Sequence, residues 1–200
     1  GERKISIKNE KIDPKRIDVE KVKKLRSSIL LLGSLSARFS EFKLYHPGGC
    51  VIGARPVGTH FDALHKMGVE IKQEDHTYSI NAKKRKAGKV VLQEMSVTAT
   101  ENAMMLAAML PGKTVIKICA TEPHVEDLGR FLVSMGAKIK GLGTHTMEIT
   151  GAKKLRGVKH SIIPDANEAA TFLIMGVATG SPIRVNNAIE DHLDLVLEKL

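Results

Sequence analysis

The chain has 200 residues, 42% of them apolar, and its 31 Lys and Arg against 22 Asp and Glu give a formal charge of +9. That apolar share builds a buried core and excludes a disordered basic tail. The longest apolar run, Ala103 to Leu110, falls far short of the roughly 20 residues a membrane span needs, so no membrane partner is expected.

In chain order, basic residues crowd the opening stretch up to Arg26 and return at Lys83 to Lys89. With 4% aromatic residues and no Trp, the platforms that single-stranded nucleic acid stacks on are scarce, and no nucleic-acid partner is expected. Val22, Leu25, Ile29, Leu32 and Phe39 recur at helical spacing, and Phe42, Leu44 and Tyr45 follow as a strand. After the loop His46 to Pro56, the segment Val57 to Ile71 reads as a helix ended by Gly68, and Val125 to Ile139 repeats it with Met135-Gly136 over Met67-Gly68. Alternation at Ala137 and Ile139, a turn at Gly141 to Thr144 and a second alternating run, Met147 to Thr150, predict a hairpin. Thr100 to Ile118 reads as helix, Gly turn and strand, and Asn167 to Val185 echoes it. Glu190 to Leu200 reads as a third copy of the later helix, stopping where its glycine would fall. The unit is helix, strand, helix, two strands, about three times over. Helices apolar on several faces beside mixed strands predict an α/β or α+β fold with helices packed inside as well as outside.

Several motifs fail. Pro111-Gly-Lys-Thr114 lacks the earlier glycine of a phosphate loop, where Ala107 stands, and Gly141-Leu-Gly143 lacks the third glycine of a dinucleotide fingerprint. The eight histidines show no metal-ligand spacing, and Cys119 reads as core in an apolar strand. With only one further cysteine and no basic-then-apolar leader, a reducing cytoplasm is expected rather than a disulfide scaffold.

The loop His46-Pro-Gly-Gly-Cys-Val-Ile-Gly-Ala-Arg-Pro56 is different in kind. Gly48, Gly49 and Gly53 permit a loop that moves. Cys50 sits on it as a candidate reactive thiol, with Arg55 near enough in sequence to favour thiolate or bind an anion. Pro56 opens the next helix, whose first turn offers backbone N–H groups to an anion.

On these residues the chain resembles the UDP-N-acetylglucosamine enolpyruvyl transferases. The match also takes in Leu25-Arg-Ser-Ser-Ile29, Leu35-Ser-Ala-Arg-Phe39, Ser96-Val97, Ala99-Thr100, Glu122-Pro123, Met135 to Ile139 and Ile163-Pro-Asp165. The resemblance implies an inside-out α/β barrel domain of three βαβαββ-type units. It implies residues 1–160 as most of a first, Cys-loop domain and 161–200 as the start of a second, so the chain is expected to be a piece of a larger protein, inactive without the missing half. It implies transfer of the enolpyruvyl group of phosphoenolpyruvate to the sugar's 3-hydroxyl with phosphate release, without a metal or organic cofactor, as the first committed step of peptidoglycan synthesis.

By the same resemblance Cys50 is the general acid, forms a covalent adduct with phosphoenolpyruvate and is alkylated by fosfomycin, while Arg26 and Arg55 bind phosphates. Pro56, Val57, Gly58 and Thr59, with Glu94, Met95, Ser96 and Val97, contact the nucleotide. Glu122 and Asp165 are further candidates, Asp165 for either a direct or a stability role. The chain departs from the family's pattern at Gly58 (usually acidic), Glu94 (Lys), Thr98 (Gly) and Ala166-Asn167 (Arg-Ile). These departures carry the alternative expectation, a non-catalytic ligand-binding paralogue of the same fold.

Overall fold

The computed structural model describes residues 4–49 and 56–200, so Cys50, Gly53 and Arg55 lie outside the described residues. The chain divides into two compact units, Gly1–Gly157 and Val158–Leu200.

In the first unit the helical face expected from Val22 to Phe39 is broken into three pieces. Asp18 caps α1 (Val19–Lys24), a 3-10 turn covers Arg26–Leu30, and α2 runs Leu31–Arg38. Leu25 interrupts them with extended backbone (φ −119°, ψ 113°), and at 56% exposure it leaves the buried face to Val22, Ile29 and Leu32. Strand β1 (Glu41–Tyr45) turns Phe42 and Leu44 inward. Beyond the loop come α3 (Gly58–Lys66), β2 (Glu70–Glu74) and β3 (Thr77–Asn81), the strands forming an antiparallel sheet in the order β1-β3-β2.

The second copy repeats this sequence with one addition. Strand β4 (Lys89–Val91), too short to leave an alternation signal, lies parallel to β5 (Lys113–Lys117). Between them stands α4 (Val97–Ala107), and α5 (Pro123–Met135), β6 (Lys138–Lys140) and β7 (Thr146–Thr150) complete a sheet in the order β4-β5-β7-β6. The two later helices end alike. Gly68 (φ +79°) donates its N–H to the His65 carbonyl and Val69 to that of Leu64; Gly136 (φ +119°) donates to Val133 and Ala137 to Leu132. A left-handed residue closes the last turn this way, and glycine takes that conformation without a Cβ penalty.

Helix α4 is the expected inner helix. Ala99, Thr100, Glu101, Asn102, Ala103, Met104, Leu106 and Ala107 are all buried, and it packs on α2, α3 and α5 and against β5 and β7. Its approach to α2 is so close that a Cβ on Gly33 would stand 2.3 Å from the Asn102 carbonyl oxygen. The Gly33 N–H donates to Asn102 Oδ1 at 2.6 Å, and Asn102 Nδ2 donates to the Thr98 carbonyl at 2.8 Å, so the buried amide is engaged at both ends. Cys119 lies just beyond β5 rather than within it. It is fully buried, and burial pushes its thiol up to about 11, the behaviour of a core residue.

In the second unit Asp165 caps α6 (Ala166–Thr179), which ends at Gly180 (φ +61°). The strand expected up to Val185 is not formed. Pro182 has no N–H to give, and residues 158–200 contain no other strand for it to join. The last copy is also reduced, to a 3-10 turn at Glu190–His192 and α7 (Asp194–Leu197). Among the described residues no helix is long and apolar enough to cross a membrane.

Candidate active site

The glycines at the root of the Cys50 loop serve close packing. A Cβ on Gly48 would fall 1.6 Å from the Lys23 carbonyl oxygen, and one on Gly49 (φ +71°) would fall 2.5 Å from that of Lys24. The Gly48 N–H donates to the Val22 carbonyl at 3.2 Å. Gly48 and Gly49 are therefore pressed against the end of α1, and Gly49 lies beside the backbone of Arg26, the first residue of the 3-10 turn.

Arg26, Pro56, Val57 and Gly58 line one cleft of about 470 Å³, together with His46 and Tyr78. His46 stacks on the Tyr78 ring at 4.2 Å between centroids, and Phe61 meets the same ring edge-on at 4.8 Å. Burial, helped by His76, lowers the pKa of His46. The wall thus combines a guanidinium, an aromatic cluster and the start of α3, a surface fitted to an anionic group on a larger body.

Three side-chain bonds join α3 to the stretch from the end of β4 to the first turn of α4. Thr59 Oγ1 donates to Glu94 Oε1 at 2.9 Å, His60 Nε2 and Thr98 Oγ1 share a hydrogen bond of 2.6 Å, and Lys66 Nζ donates to the Val91 carbonyl at 2.8 Å. Ser96 caps α4, accepting from the Ala99 N–H, while Met95 beside it is 60% exposed and Val97 opens the helix. His60 is buried, and its pKa is lowered first by that burial and also by the Arg26 charge, against raising contributions from a backbone bond at Val57 and from Glu94. One imidazole therefore feels the arginine of the cleft and the carboxylate at α4. Arg26, Pro56 to Thr59 and Glu94 to Val97 thus form one neighbourhood.

His60 and Tyr78 belong to this neighbourhood and were not singled out from the sequence. Tyr78 had a signal in the alternation of its hairpin, whereas the His60–Thr98 pair, so distant along the chain, had none.

Glu122 stands apart, at the cap position of α5 with no side-chain capping bond. Its charge acts on Glu101, a residue the sequence did not flag. Glu101 is buried, and desolvation first, then Glu122, raises its carboxyl from 4.5 to about 7. The folded state keeps a proton that the unfolded chain releases, so stability is full below about pH 4.5 and is lost as pH rises through about 7. We expect Glu101→Gln to gain about 2 to 3 kcal/mol over wild type at pH 8 and nothing at pH 4.5, read from urea midpoints across that range. Asp165, in the second unit, accepts from the N–H groups of Asn167 (2.8 Å) and Glu168 (3.2 Å), so its carboxylate is occupied in capping α6.

A domain of repeated helix–strand–helix–hairpin units, with a cleft lined by Arg26 beside the start of α3, has the fold of the enolpyruvyl transferases. The structure is similar to the enolpyruvyl transferase NikO from Streptomyces tendae, with a TM-score of 0.68 and 23% identity, covering 80% of this chain and 38% of that one. It is also similar to the EPSP synthase from Acinetobacter baumannii, with a TM-score of 0.56 and 23% identity, covering 76% of this chain and 35% of that one. The chain belongs to the EPSP synthase (3-phosphoshikimate 1-carboxyvinyltransferase) family, whose model matches residues 2–200. In sequence it is 48% identical to the UDP-N-acetylglucosamine 1-carboxyvinyltransferase of Koribacter versatilis, over 90% of this chain and 42% of that protein. It is 44% identical to UDP-N-acetylglucosamine 1-carboxyvinyltransferase 1 of Carboxydothermus hydrogenoformans, over 98% of this chain and 47% of that protein. The chain therefore spans less than half the length of these relatives.

Proposed function

We propose that the chain is part of a carboxyvinyl transferase that moves the enolpyruvyl group of phosphoenolpyruvate onto the 3-hydroxyl of UDP-N-acetylglucosamine, releasing phosphate. The observation that carries this reading is the 48% and 44% identity to relatives of that name along nearly the whole chain. In the reaction the sugar hydroxyl gives up its proton to a base as its oxygen bonds to C2 of phosphoenolpyruvate and the methylene carbon takes a proton; elimination then breaks the C2–O bond to phosphate, which leaves as that carbon gives a proton back. Cys50 is the proton donor to the methylene and the nucleophile of a covalent adduct. Arg26 and Arg55 hold phosphate oxygens, a task suited to a planar, permanently charged fork. Pro56 to Thr59 and Glu94 to Val97 take the nucleotide.

On this reading the reaction is the first committed step of peptidoglycan synthesis, in the cytoplasm, serving cell-wall biogenesis and cell shape, and fosfomycin alkylates Cys50. Residues 1–160 are most of the Cys-loop domain and 161–200 open a second. The rest of the relatives' length supplies the other side of the cleft, so the 200-residue chain by itself turns over little. The test is phosphate release by the complete protein given both substrates. Equal amounts of phosphate and enolpyruvyl sugar are expected, and no release above either substrate alone overturns the reading.

A further inference from the structure

The two sheets of the first unit are built alike and charged differently. In the second sheet Val90, Ile116, Met147 and Ile149 point into the core, so the residues alternating with them form its outer face. That face carries five exposed lysines, Lys89, Lys113, Lys117, Lys138 and Lys140, against one carboxylate, Glu148. The matching face of the first sheet sets Glu41, Glu70 and Glu74 against Lys43 and Lys72, so the fold itself does not call for lysine. Lysines on edge strands guard against stray pairing, but Lys113 and Lys117 lie on β5, an inner strand. Among the described residues Lys89, Lys117 and Lys138 make no ion pair. Glu148 shows how the face seats a carboxylate. It stands directly opposite Lys140 in the register, its Oε2 lies 2.7 Å from Lys113 Nζ, and Lys113 first, then Lys140, hold its carboxyl below the ordinary value.

We propose that the outer face of the β4-β5-β7-β6 sheet docks an extended acidic segment of a partner protein, whose carboxylates settle among the lysines as Glu148 does. Carboxylates on alternate residues of an extended chain repeat about every 6.8 Å, the spacing of alternate residues along β5 and β6 themselves. Ammonium groups are compact point charges on flexible stems, suited to carboxylates that arrive without a fixed orientation. The face has no arginine fork and no aromatic platform, so a nucleic acid would find only charge there. Val91 and Val115 are its only apolar side chains, too little for a bilayer to hold. A second copy of the face would bring the same charge and be repelled.

The test is fluorescence anisotropy at low salt, with the complete protein and a labelled peptide alternating glutamate and serine. Lys117→Glu with Lys138→Glu is expected to weaken binding about tenfold, and Glu148→Gln, which releases Lys113, to tighten it about threefold. Lys117→Gln with Lys138→Gln should fall between wild type and the glutamate pair. Lys43→Glu with Lys72→Glu, on the first sheet, is the control and should bind as wild type does. All four lysines are exposed, so urea midpoints are expected to stay close to that of wild type. No binding of the peptide by wild type, or equal losses from the two glutamate pairs, overturns the proposal. Tighter binding of a single-stranded RNA or of phosphatidylglycerol vesicles, lost in the Lys117 and Lys138 variants, also overturns it and gives the face to that partner instead.

Discussion

Replacing Gly33 by alanine is expected to destabilise the first unit by about 3 to 5 kcal/mol. The added carbon would stand 2.3 Å from the Asn102 carbonyl oxygen and 2.7 Å from its Cα, both backbone atoms of a helix that neighbours grip on several sides. Neither atom can turn away as a side-chain tip would, so α2 and α4 must part. Parting them stretches the 2.6 Å bond from the Gly33 N–H and leaves the Asn102 amide oxygen buried with a weakened partner. Domains of this size are typically stable by only about 5 to 15 kcal/mol, so the loss is a large fraction of the whole. Gly58→Ala is the control, because a Cβ there meets nothing within 4 Å. Urea unfolding of both variants checks the expectation, and equal midpoints would refute it.

In the complete protein, Cys50→Ala is expected to lower kcat about a hundred- to ten-thousand-fold, the usual contribution of a positioned proton donor. On the proposed mechanism, alanine removes the proton destined for the methylene carbon and the sulfur of the adduct. The residues proposed to take the nucleotide, Pro56 to Thr59 and Glu94 to Val97, are unchanged in this variant. Affinity for UDP-N-acetylglucosamine should therefore change little while turnover collapses, a split separating lost chemistry from lost binding. Steady-state kinetics beside calorimetry gives both numbers, and unchanged turnover would remove Cys50 from the mechanism.

Much of the fold was legible because its signals are local. The glycines ending α3 and α5 follow directly on apolar helical faces, and the hairpin β6–β7 alternates on either side of Gly141 and Gly143, both with positive φ. What was missed depends on partners. Strand β4 exists because β5 lies beside it, and three residues are too few to announce themselves. The stretch from Ser181 to Val185 has strand-like residues, but without a neighbouring strand it stays unpaired.

The candidate site divides the same way. The loop from His46 to Pro56 stood out by composition, whereas the use of Gly48 and Gly49 came from carbonyls at Lys23 and Lys24 that only folding brings near. The Thr59–Glu94 and His60–Thr98 bonds join residues on different repeats, and no spacing rule reaches that far.

The buried amide of Asn102 has one more consequence. In a chain of similar units, apolar faces are nearly interchangeable, and a helix from one copy can bury itself on the wrong neighbour at little cost. The amide nitrogen is met within α4 itself, by the Thr98 carbonyl, but the amide oxygen is met by the Gly33 N–H of α2. Mispaired copies would leave that oxygen buried without its donor. The side chain thus acts as a proofreader among look-alike partners during folding, a task that hydrophobic burial is too permissive to perform.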